Sequence, residues 1–376
     1  MARLGDVCII NPKVPPIDDS MLVSFVPMQR VGEEGEFDPS EQRTYADVKK
    51  GFTYFADADV LFAKITPCME NGKGAIACGM ENGIGFGSTE FHVLRPNKKM
   101  MMGEWLYYLT VCPTFRKEAE RNMTGSAGQK RVPKSFLENY HVNIPVLSEQ
   151  HQQVQVLNNI FALLSLRKQQ LAKLDELVKS RFVELFSSVE NEDTLANLCT
   201  FIDYRGKTPE KTESGLPFIT AKNIKMHHMS FDTQEFISKE TYDKVMTRGF
   251  PRIGDVVFTT EAPLGNVCRI PYIETEFYIG QRIITMQTEL LEPAYLEYAL
   301  SSDDFKRKIA EKSSGSTVTG IRSKLLEQLT IPVPPRALQE QFASFVKQTD
   351  KSKLAVQQSI DQLETLKKSL MQKYFG

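Results

Sequence analysis

The sequence predicts an α+β protein in which two similar mixed α/β domains are each followed by a long helix. Three observations support this fold class: an internal duplication, two long segments with helical periodicity, and short strand-like segments beside glycine-rich turns. The segment DVLF at 59–62 returns as DVVF at 255–258, and IPV at 144–146 returns at 331–333. Because the period is about half of the chain, it describes two domains of the same fold and not a solenoid.

Chain length and composition fit two such domains. The 376 residues allow two domains of about 150 residues each, with two helices besides. Hydrophobic residues make up 41% of the chain and charged residues 25%, as in ordinary globular proteins. We place the first domain at 1–145, the first long helix at 146–188, the second domain at 189–333 and the second long helix at 334–376.

The long helices are predicted from missing helix breakers and from hydrophobic periodicity. No glycine occurs between Gly128 and Gly206, and no proline between Pro145 and Pro209. Inside this gap, positions spaced alternately three and four residues apart are mostly apolar from 154 to 185, and the same pattern recurs from 342 to 374. We expect helices over about 148–186 and 337–375. Each is too long for a globular core, so they are predicted to pack on each other as an antiparallel coiled coil.

Shorter elements are predicted inside each domain. Apolar segments at 59–64 and 254–258 have the length and composition of β-strands, and the glycine-rich stretches around them predict turns. Helices are expected at 104–121 and 293–312. The order is therefore mixed domain, long helix, mixed domain, long helix.

Charge, cysteine usage and hydropathy exclude several classes of protein. The 46 basic and 47 acidic residues give a net charge of −1, which argues against indiscriminate nucleic-acid binding by the whole surface. The six cysteines form no C-x-x-C pair, and with the five histidines they predict reduced structural thiols and no metal site. No apolar run approaches the ~20 residues of a membrane helix, and the N-terminus does not resemble a signal peptide. We expect a cytoplasmic protein without membrane contact.

The sequence lacks the residues or the spacing of the catalytic motifs that it partly resembles. Gly206-Lys207-Thr208 resembles the end of a P-loop, but Phe201 stands where the first glycine of that motif belongs. The H-E-x-x-H and G-x-S-x-G motifs do not occur, and neither does the N-P-P-aromatic or D-P-P-aromatic motif of amino-methyltransferases. The chain is therefore predicted to be a non-enzyme.

Two pairs of polar loops in matched positions are candidate nucleic-acid contacts. The first pair is KITP at 64–67 and TTEAP at 259–263, and the second is TGSAGQKR at 124–131 and SGSTVTGIR at 314–322. Exposed amides and hydroxyls suit phosphates, and arginine, lysine, asparagine and glutamine side chains can read base edges. The second pair favours nucleic acid over a solvated turn because its basic run recurs in both copies. For the first pair, a role of Pro67 and Pro263 in the turn alone is an equal alternative.

The predicted contacts are polar and basic side chains of these loops, together with segments that differ between the copies. They are Lys64, Thr66, Asn71, Lys73, Ser126, Gln129, Lys130, Arg131, Lys134, Arg205, Lys207, Thr208, Lys222, Asn223, Thr260, Ser316, Thr317, Thr319, Arg322 and Lys324.

The order of these features resembles the specificity (S, or HsdS) subunits of type I restriction–modification systems. The resemblance rests on IPVLSEQ at 144–150 and on IPVPP at 331–335, which leads to QEQ at 339–341. AKITP at 63–67 and YRGKTP at 204–209 also look like segments of such proteins. The resemblance covers essentially the whole chain. The two copies differ in reading PVLS and PVPP, which affects only where each helix begins.

The resemblance implies two target-recognition domains that read a bipartite, asymmetric site on double-stranded DNA. It implies two modification (methyltransferase) subunits as partners, which carry S-adenosylmethionine and methylate adenine, and restriction subunits that use ATP and Mg²⁺. The chain itself would bind no cofactor. A helix of about 39 residues spans roughly 58 Å, more than one duplex turn of ~34 Å, so the helices would act as a ruler between half-sites.

Two other functional classes are alternatives. One is a coiled-coil scaffold whose two domains bind protein, although a scaffold has no need for basic glycine–serine loops twice. The other is a self-sufficient restriction or methylation enzyme, which the missing catalytic motifs disfavour.

Overall fold

The computed structural model describes residues 1–126, 128–204, 206, 208–312 and 320–376. The chain divides into two compact units. Unit 1 contains Met1–Lys168 and Gln358–Gly376, and unit 2 contains Gln169–Gln357. Within the described ranges, the helices are all too short or too polar to cross a membrane.

Unit 1 consists of short strands and helices that precede a long helix. Its strands are β1 Ala2–Arg3, β2 Cys8–Ile10, β3 Leu22–Val26, β4 Gln42–Thr44, β5 Thr53–Ala56, β6 Val60–Ala63, β7 Gly74–Ile76, β8 Ile84–Gly87, β9 Phe91–Pro96 and β10 His141–Val142. Its helices are α1 Leu4–Val7, α2 Tyr45–Val48, α3 Gly103–Val111, α4 Pro113–Arg121 and α5 Lys134–Asn139, followed by the start of the long helix α6 Leu147–Phe186.

Unit 2 repeats this order. Its strands are β11 Glu192–Thr194, β12 Thr200–Asp203, β13 Leu216–Ile219, β14 Ile224–Lys225, β15 His228–Met229, β16 Phe236–Ile237, β17 Val256–Thr259, β18 Val267–Arg269, β19 Tyr278–Ile279, β20 Ile283–Gln287 and β21 Thr330–Pro332. Its helices are α7 Leu195–Leu198, α8 Lys239–Val245, α9 Pro293–Ser301, α10 Asp303–Lys312 and α11 Ser323–Glu327, followed by the start of the second long helix, α12 Arg336–Phe375.

The sheets confirm the duplication predicted from the sequence. Unit 1 has an antiparallel sheet of order β2-β9-β6-β7, and unit 2 has the equivalent sheet β12-β20-β17-β18. Each unit has a second sheet with one parallel pair, β3 with β8 in unit 1 and β13 with β19 in unit 2. In both units the first strand pairs with the last, β1 with β10 and β11 with β21, so each domain is closed where its chain enters and leaves.

The predicted helical segments 104–121 and 293–312 are each two helices. In unit 1 the break lies at Cys112, because Pro113 begins α4 and a proline excludes the helical conformation from the residue before it. In unit 2 the break lies at Ser302, whose hydroxyl accepts a hydrogen bond of 3.2 Å from the N–H of Phe305. A serine that caps a new helix in this way ends the preceding one. The helix pair packs on the first sheet, with Trp105 buried in unit 1 and Tyr295 in unit 2.

The long helices begin within one residue of the predicted positions. Inside unit 2, the ring centroids of Phe182 and Phe186 each lie 5.5 Å from that of Phe342, and Asp175 pairs with Lys353 at 2.5 Å. Later residues of α12 therefore meet earlier residues of α6, and the pairing is antiparallel, as predicted. The hydrophobic seam is interrupted at Asp175, where the ion pair replaces an apolar contact.

We predict that Phe342→Ala lowers the free energy of unfolding by about 3–5 kcal/mol. The side chain is fully buried against three aromatic rings, and its removal leaves a cavity that α12 cannot close. Urea denaturation followed by circular dichroism measures the change. Leu354→Ala on the same helix is the matched control, because Leu354 is 61% exposed and its loss should change stability by less than about 0.5 kcal/mol. Equal effects of the two variants would contradict the assigned helix faces.

Candidate nucleic-acid interface

In unit 1 the structure joins two loops that the sequence predicted separately. The proline loop, 64–67, lies against the glycine–serine loop, 124–131. The N–H of Thr66 donates to the carbonyl of Lys130 at 3.0 Å, and the N–H of Val132 donates to the carbonyl of Lys64 at 2.9 Å. Thr124 and Arg131 exchange backbone hydrogen bonds of 3.0 and 2.8 Å, which close the glycine–serine loop at its base. The two loops therefore form one surface.

A glycine is required where the glycine–serine loop turns. Gly125 has a φ of +124°, a conformation that other residues rarely adopt. A Cβ atom at this position would lie 2.9 Å from the carbonyl oxygen of Gln129. The tight turn leaves the side chains of Ser126, Gln129 and Lys130 exposed to solvent.

Unit 2 has the same backbone geometry at its proline loop, 260–263. The N–H of Thr260 donates to the carbonyl of Arg282 at 3.0 Å, and the carbonyl of Thr260 accepts from the N–H of Ile321 at 2.9 Å. In unit 1 the N–H of Lys64 donates to the carbonyl of Glu90 at 2.9 Å. By these bonds, Thr260 is equivalent to Lys64 and Arg282 to Glu90. Residues 313–319 of the second glycine–serine loop lie outside the described residues.

The predicted contacts differ in their exposure. Exposed side chains are those of Asn71, Ser126, Gln129, Lys130, Lys134, Thr208, Lys222, Arg322 and Lys324, and half-buried ones are those of Lys64, Thr66, Lys73 and Arg131. Arg205, Lys207, Ser316, Thr317 and Thr319 lie outside the described residues. We call the place where the proline loop meets the glycine–serine loop the loop junction. Lys130 and Arg131 lie at the loop junction of unit 1. Arg322 and Lys324 directly follow the loop junction of unit 2. Thr208 and Lys222 occupy separate loops of unit 2.

Two of the predicted contacts are buried, so their side chains are not part of the candidate interface. Asn223 is only 3% exposed, and its side chain is used inside its own loop. Its oxygen accepts from the N–H of Thr220 at 2.9 Å, and its amide nitrogen donates to the carbonyls of Ser230 and Thr233 at 3.0 and 2.8 Å. Thr260 is only 1% exposed, and its hydroxyl donates to the carbonyl of Arg282 at 3.3 Å. A polar residue type alone did not distinguish a loop-stabilising side chain from an exposed one.

A buried arginine holds the turn that follows the proline loop of unit 1. The terminal amino groups of Arg116 on α4 donate to the carbonyls of Met69 and Gly72, the latter at 2.8 Å. Burial lowers the pKa of Arg116 to about 10. This turn carries Asn71, which is exposed, and Lys73, whose ammonium group donates to the carbonyl of Met28 at 3.0 Å. Of the two predicted contacts, Asn71 is the one presented to solvent.

A buried histidine lies beneath the junction of unit 1. His92 is buried beneath the loops, with Nε2 2.8 Å from the carbonyl oxygen of Val132. Burial lowers the pKa of His92, and the charges of Lys64 and Lys134 lower it further. Both effects favour the neutral imidazole. Groups of histidine, cysteine, aspartate or glutamate that could hold a metal ion are absent from the described ranges.

Comparison with known proteins gives the family. Residues 1–176 and 191–365 match the model of the type I restriction modification DNA specificity domain. The chain belongs to this family. The resemblance predicted from the sequence is confirmed, and the two matched segments of the specificity domain follow the internal repeat.

Curated relatives are specificity subunits of type I restriction enzymes. The EcoAI subunit of Escherichia coli is 41% identical over 201 residues, which are 52% of this chain and 34% of that protein. The EcoEI subunit of Escherichia coli is 38% identical over 207 residues, which are 54% of this chain and 35% of that protein. The aligned part thus spans about a third of each relative. The MjaVIII subunit of Methanocaldococcus jannaschii is 22% identical over 74% of this chain and 70% of that protein.

Solved structures share the fold of these specificity domains. A chain from a study of complex assembly and conformational transition of the type I R-M system aligns with a TM-score of 0.60 and 19% identity, covering 100% of this chain and 96% of that chain. The S subunit from M. genitalium aligns with a TM-score of 0.57 and 15% identity, covering 100% and 95%. At these identities the likeness shows the fold alone.

Three charged residues of the specificity-domain junctions were missed by the sequence analysis. In unit 1, Arg131 forms an ion pair with Glu90, with Nε–Oε2 and Nη2–Oε1 distances of 2.9 and 2.8 Å. In unit 2, Nε of Arg282 lies 3.1 Å from Oε2 of Glu261. Glu90 and Arg282 are equivalent by backbone position but opposite in charge, so a comparison of residue types between the copies hides the relation.

The ion pair of unit 1 predicts how Glu90 responds to pH. Hydrogen bonds from Arg131 lower the pKa of Glu90, so the charged carboxylate is favoured in the folded state. This stabilisation is present above the ordinary glutamate pKa of about 4.3 and is lost as pH falls through the lowered value. Glu90→Gln should therefore be less stable than the parent protein at pH 7, and the difference should shrink below pH ~4. Urea midpoints between pH 7 and pH 3 test this.

Glu120→Gln on α4 provides the matched control. Glu120 is exposed, and its replacement should leave the urea midpoint close to that of the parent protein at every pH. A constant stability difference for Glu90→Gln across this pH range would contradict a contribution from the ion pair.

Proposed function

We propose that this chain is the DNA-recognition subunit of a type I restriction–modification complex and is not itself a catalyst. One observation carries the proposal: each unit of this DNA specificity family member holds the same loop junction with different exposed side chains. A repeated scaffold with different reading groups suits a bipartite, asymmetric site on double-stranded DNA. The same observation disfavours a protein-binding scaffold, which needs neither the repeated basic junction nor its divergence.

Exposed cations at the junctions are suited to bind DNA phosphates. Lys130 is exposed on the glycine–serine loop of unit 1, and Arg322 and Lys324 are exposed at the start of α11 in unit 2. Within the described ranges, these three side chains have no acidic partner. Uncommitted lysine and arginine side chains beside exposed backbone amides position a protein on the DNA backbone without reading sequence.

The chemistry of modification and restriction is assigned to partner subunits. We propose two modification subunits that carry S-adenosylmethionine and methylate adenine within the site, and restriction subunits that use ATP and Mg²⁺. This chain would bind none of these cofactors. The number two is supported by the repeat, because any partner surface built from repeated elements occurs once in each unit.

We also propose that α6 and α12 set the distance between the two DNA half-sites. Each helix has 40 residues and is therefore about 60 Å long. The heptad seam gives the pair a defined register, with Asp175 against Lys353 in unit 2 and Phe161 against Lys367 in unit 1.

The phosphate role predicts a change in salt dependence. Replacing Lys130, Arg322 and Lys324 by alanine in the complex with modification subunits should weaken binding evenly across DNA sequences. Each lost contact should reduce the slope of log affinity against log salt by about 0.9. Fluorescence anisotropy from 50 to 300 mM salt measures the slope. Lys99→Ala is the matched control, because Lys99 is an exposed lysine beyond the opposite end of β9. An unchanged slope in the triple variant would contradict the phosphate assignment.

The ruler role predicts a shorter spacer after a paired deletion. Removing 168–174 from α6 and 354–360 from α12 takes one heptad from each helix and preserves both the seam and the register. The helices shorten by about 10 Å, so the spacer should shorten by roughly three base pairs, with both half-sites unchanged. Methylation mapping in cells that carry the modification subunits reads the new site. Leu354→Ala controls for helix damage and should leave the spacer unchanged, and an unchanged spacer in the deletion variant would refute the ruler.

The proposed function as a whole is tested by reconstitution. The purified chain is mixed with a modification subunit, DNA and labelled S-adenosylmethionine, and each protein is omitted in turn. Adenine methylation at a defined sequence should require both proteins. Methylation by this chain alone would indicate an enzyme, and methylation of the same sequence without it would exclude a recognition role.

A further inference from the structure

Both junctions hold an arginine against a glutamate, but different chain segments supply the two residues. In unit 1, Arg131 comes from the glycine–serine loop and Glu90 from the residue before β9. In unit 2, Arg282 comes from the residue before β20 and Glu261 from the proline loop. The residue before the strand is thus acidic in one unit and basic in the other, yet the arginine–glutamate pair is kept.

A glycine in unit 2 makes the exchange possible. The N–H of Ile321 takes the place of that of Val132, so Gly320 stands where unit 1 has Arg131. A Cβ on Gly320 would lie 3.4 Å from Cγ of Glu261, in close contact with the side chain that pairs with Arg282. Gly320 therefore leaves space for the side chain of Glu261, which pairs with Arg282.

Two hydrogen bonds to Glu90 orient the guanidinium group of Arg131, and both arginines keep donors free. Arg131 uses three of its five N–H donors, two toward Glu90 and one toward the carbonyl of Gln129 at 3.0 Å. Two donors remain, one on each terminal nitrogen. Arg282 is engaged only through Nε by Glu261, and in the described part of the chain its terminal amino groups have no protein partner. Its side chain is 57% exposed.

Two parallel donors on a fixed guanidinium are complementary to guanine. In the major groove, guanine presents two acceptors, N7 and O6, whereas adenine presents one acceptor and one donor. Glutamate contributes by holding the arginine in one orientation, which reduces the entropy lost on binding. A phosphate contact requires no such orientation. In the described part of the chain, no glutamate pairs with Lys130, Arg322 or Lys324.

We infer that Arg282 reads a guanine in the half-site bound by unit 2 and that Arg131 reads a guanine in the half-site bound by unit 1. Glu261 and Glu90 act as positioning residues for these arginines. This inference rests on the proposed DNA-recognition function and adds the base that each junction recognises.

The test uses the assembled complex of the full chain with its modification subunits. Methylome sequencing first defines the target of the parent complex. Anisotropy then measures affinity for a set of duplexes in which each base pair of that target is replaced in turn. The parent complex, Arg282→Ala, Arg282→Lys and the phosphate-class control Lys324→Ala are compared, and Arg131→Ala is measured against the other half-site.

For the parent complex, replacing one G·C pair in one half-site should weaken binding roughly 5- to 150-fold. Arg282→Ala should bind the intact target more weakly by a similar factor. It should lose discrimination at that base pair and keep it at all others. Arg282→Lys keeps the charge but not the fork and should also lose discrimination there. Arg131→Ala should do the same at a G·C pair in the other half-site, and Lys324→Ala should weaken all duplexes equally.

Equal weakening of all duplexes by Arg282→Ala, or unchanged affinity for every duplex, would overturn the inference and leave the proposed function standing. A parent complex that shows no preference among the duplexes would defeat the proposed function itself. Glu261→Gln separates positioning from direct contact, because discrimination at the same pair should weaken without being abolished. Full discrimination in Glu261→Gln would contradict a positioning role for Glu261.

Discussion

In both units the loop junction is built around backbone hydrogen bonds of one equivalent residue, Lys64 in unit 1 and Thr260 in unit 2. Each residue donates its N–H to the segment before the central strand and accepts at its carbonyl from the end of the glycine–serine loop. Because these bonds use main-chain atoms, the residue types at the equivalent positions can differ, as Lys64 and Thr260 do. The same backbone arrangement therefore occurs in both units with different exposed residues.

At one end of the two inner strands of the first sheet, the backbone pairing is likewise kept in both units while the side chains differ. In unit 1, Asp59 is buried and accepts two hydrogen bonds of 2.7 Å from Arg95. At the equivalent pair in unit 2, Asp255 accepts from the neutral amide of Gln287 at 2.6 Å, and burial raises the pKa of Asp255. A carboxylate in a partly buried site is favoured by a cationic partner more than by an amide. The strand pairing is preserved although the electrostatics of the pair are not.

Unit 2 further contains a buried charge network that connects its sheet to α12. Glu297 is buried on α9 and accepts from Arg269 at 2.5 Å, while Arg269 also pairs with Asp350 at 3.0 Å. Ile76 of unit 1 lies at the position of Arg269 in the register of the two sheets, so unit 1 has no charged side chain at this position. Removing one member of such a network leaves an unpaired buried charge, whereas an apolar contact has no such cost. Both copies use a buried glutamine of the long helix, Gln150 or Gln339, to accept from the N–H before the helix pair, and unit 2 adds the charge network.

The sequence by itself determined the repeat, the two long helices and the positions of the loops. Local periodicity, helix breakers and recurring segments can be identified from the order of residues alone. The helices α6 and α12 begin within a residue of the expected positions. Tertiary structure alone decided that the two loops of unit 1 share one surface, since the bond from Val132 to Lys64 joins residues far apart in the chain. It also decided that Asn223 is buried and that Glu90 and Arg282 are equivalent. Burial and long-range backbone bonding depend on how distant segments pack, and a single sequence does not record that packing.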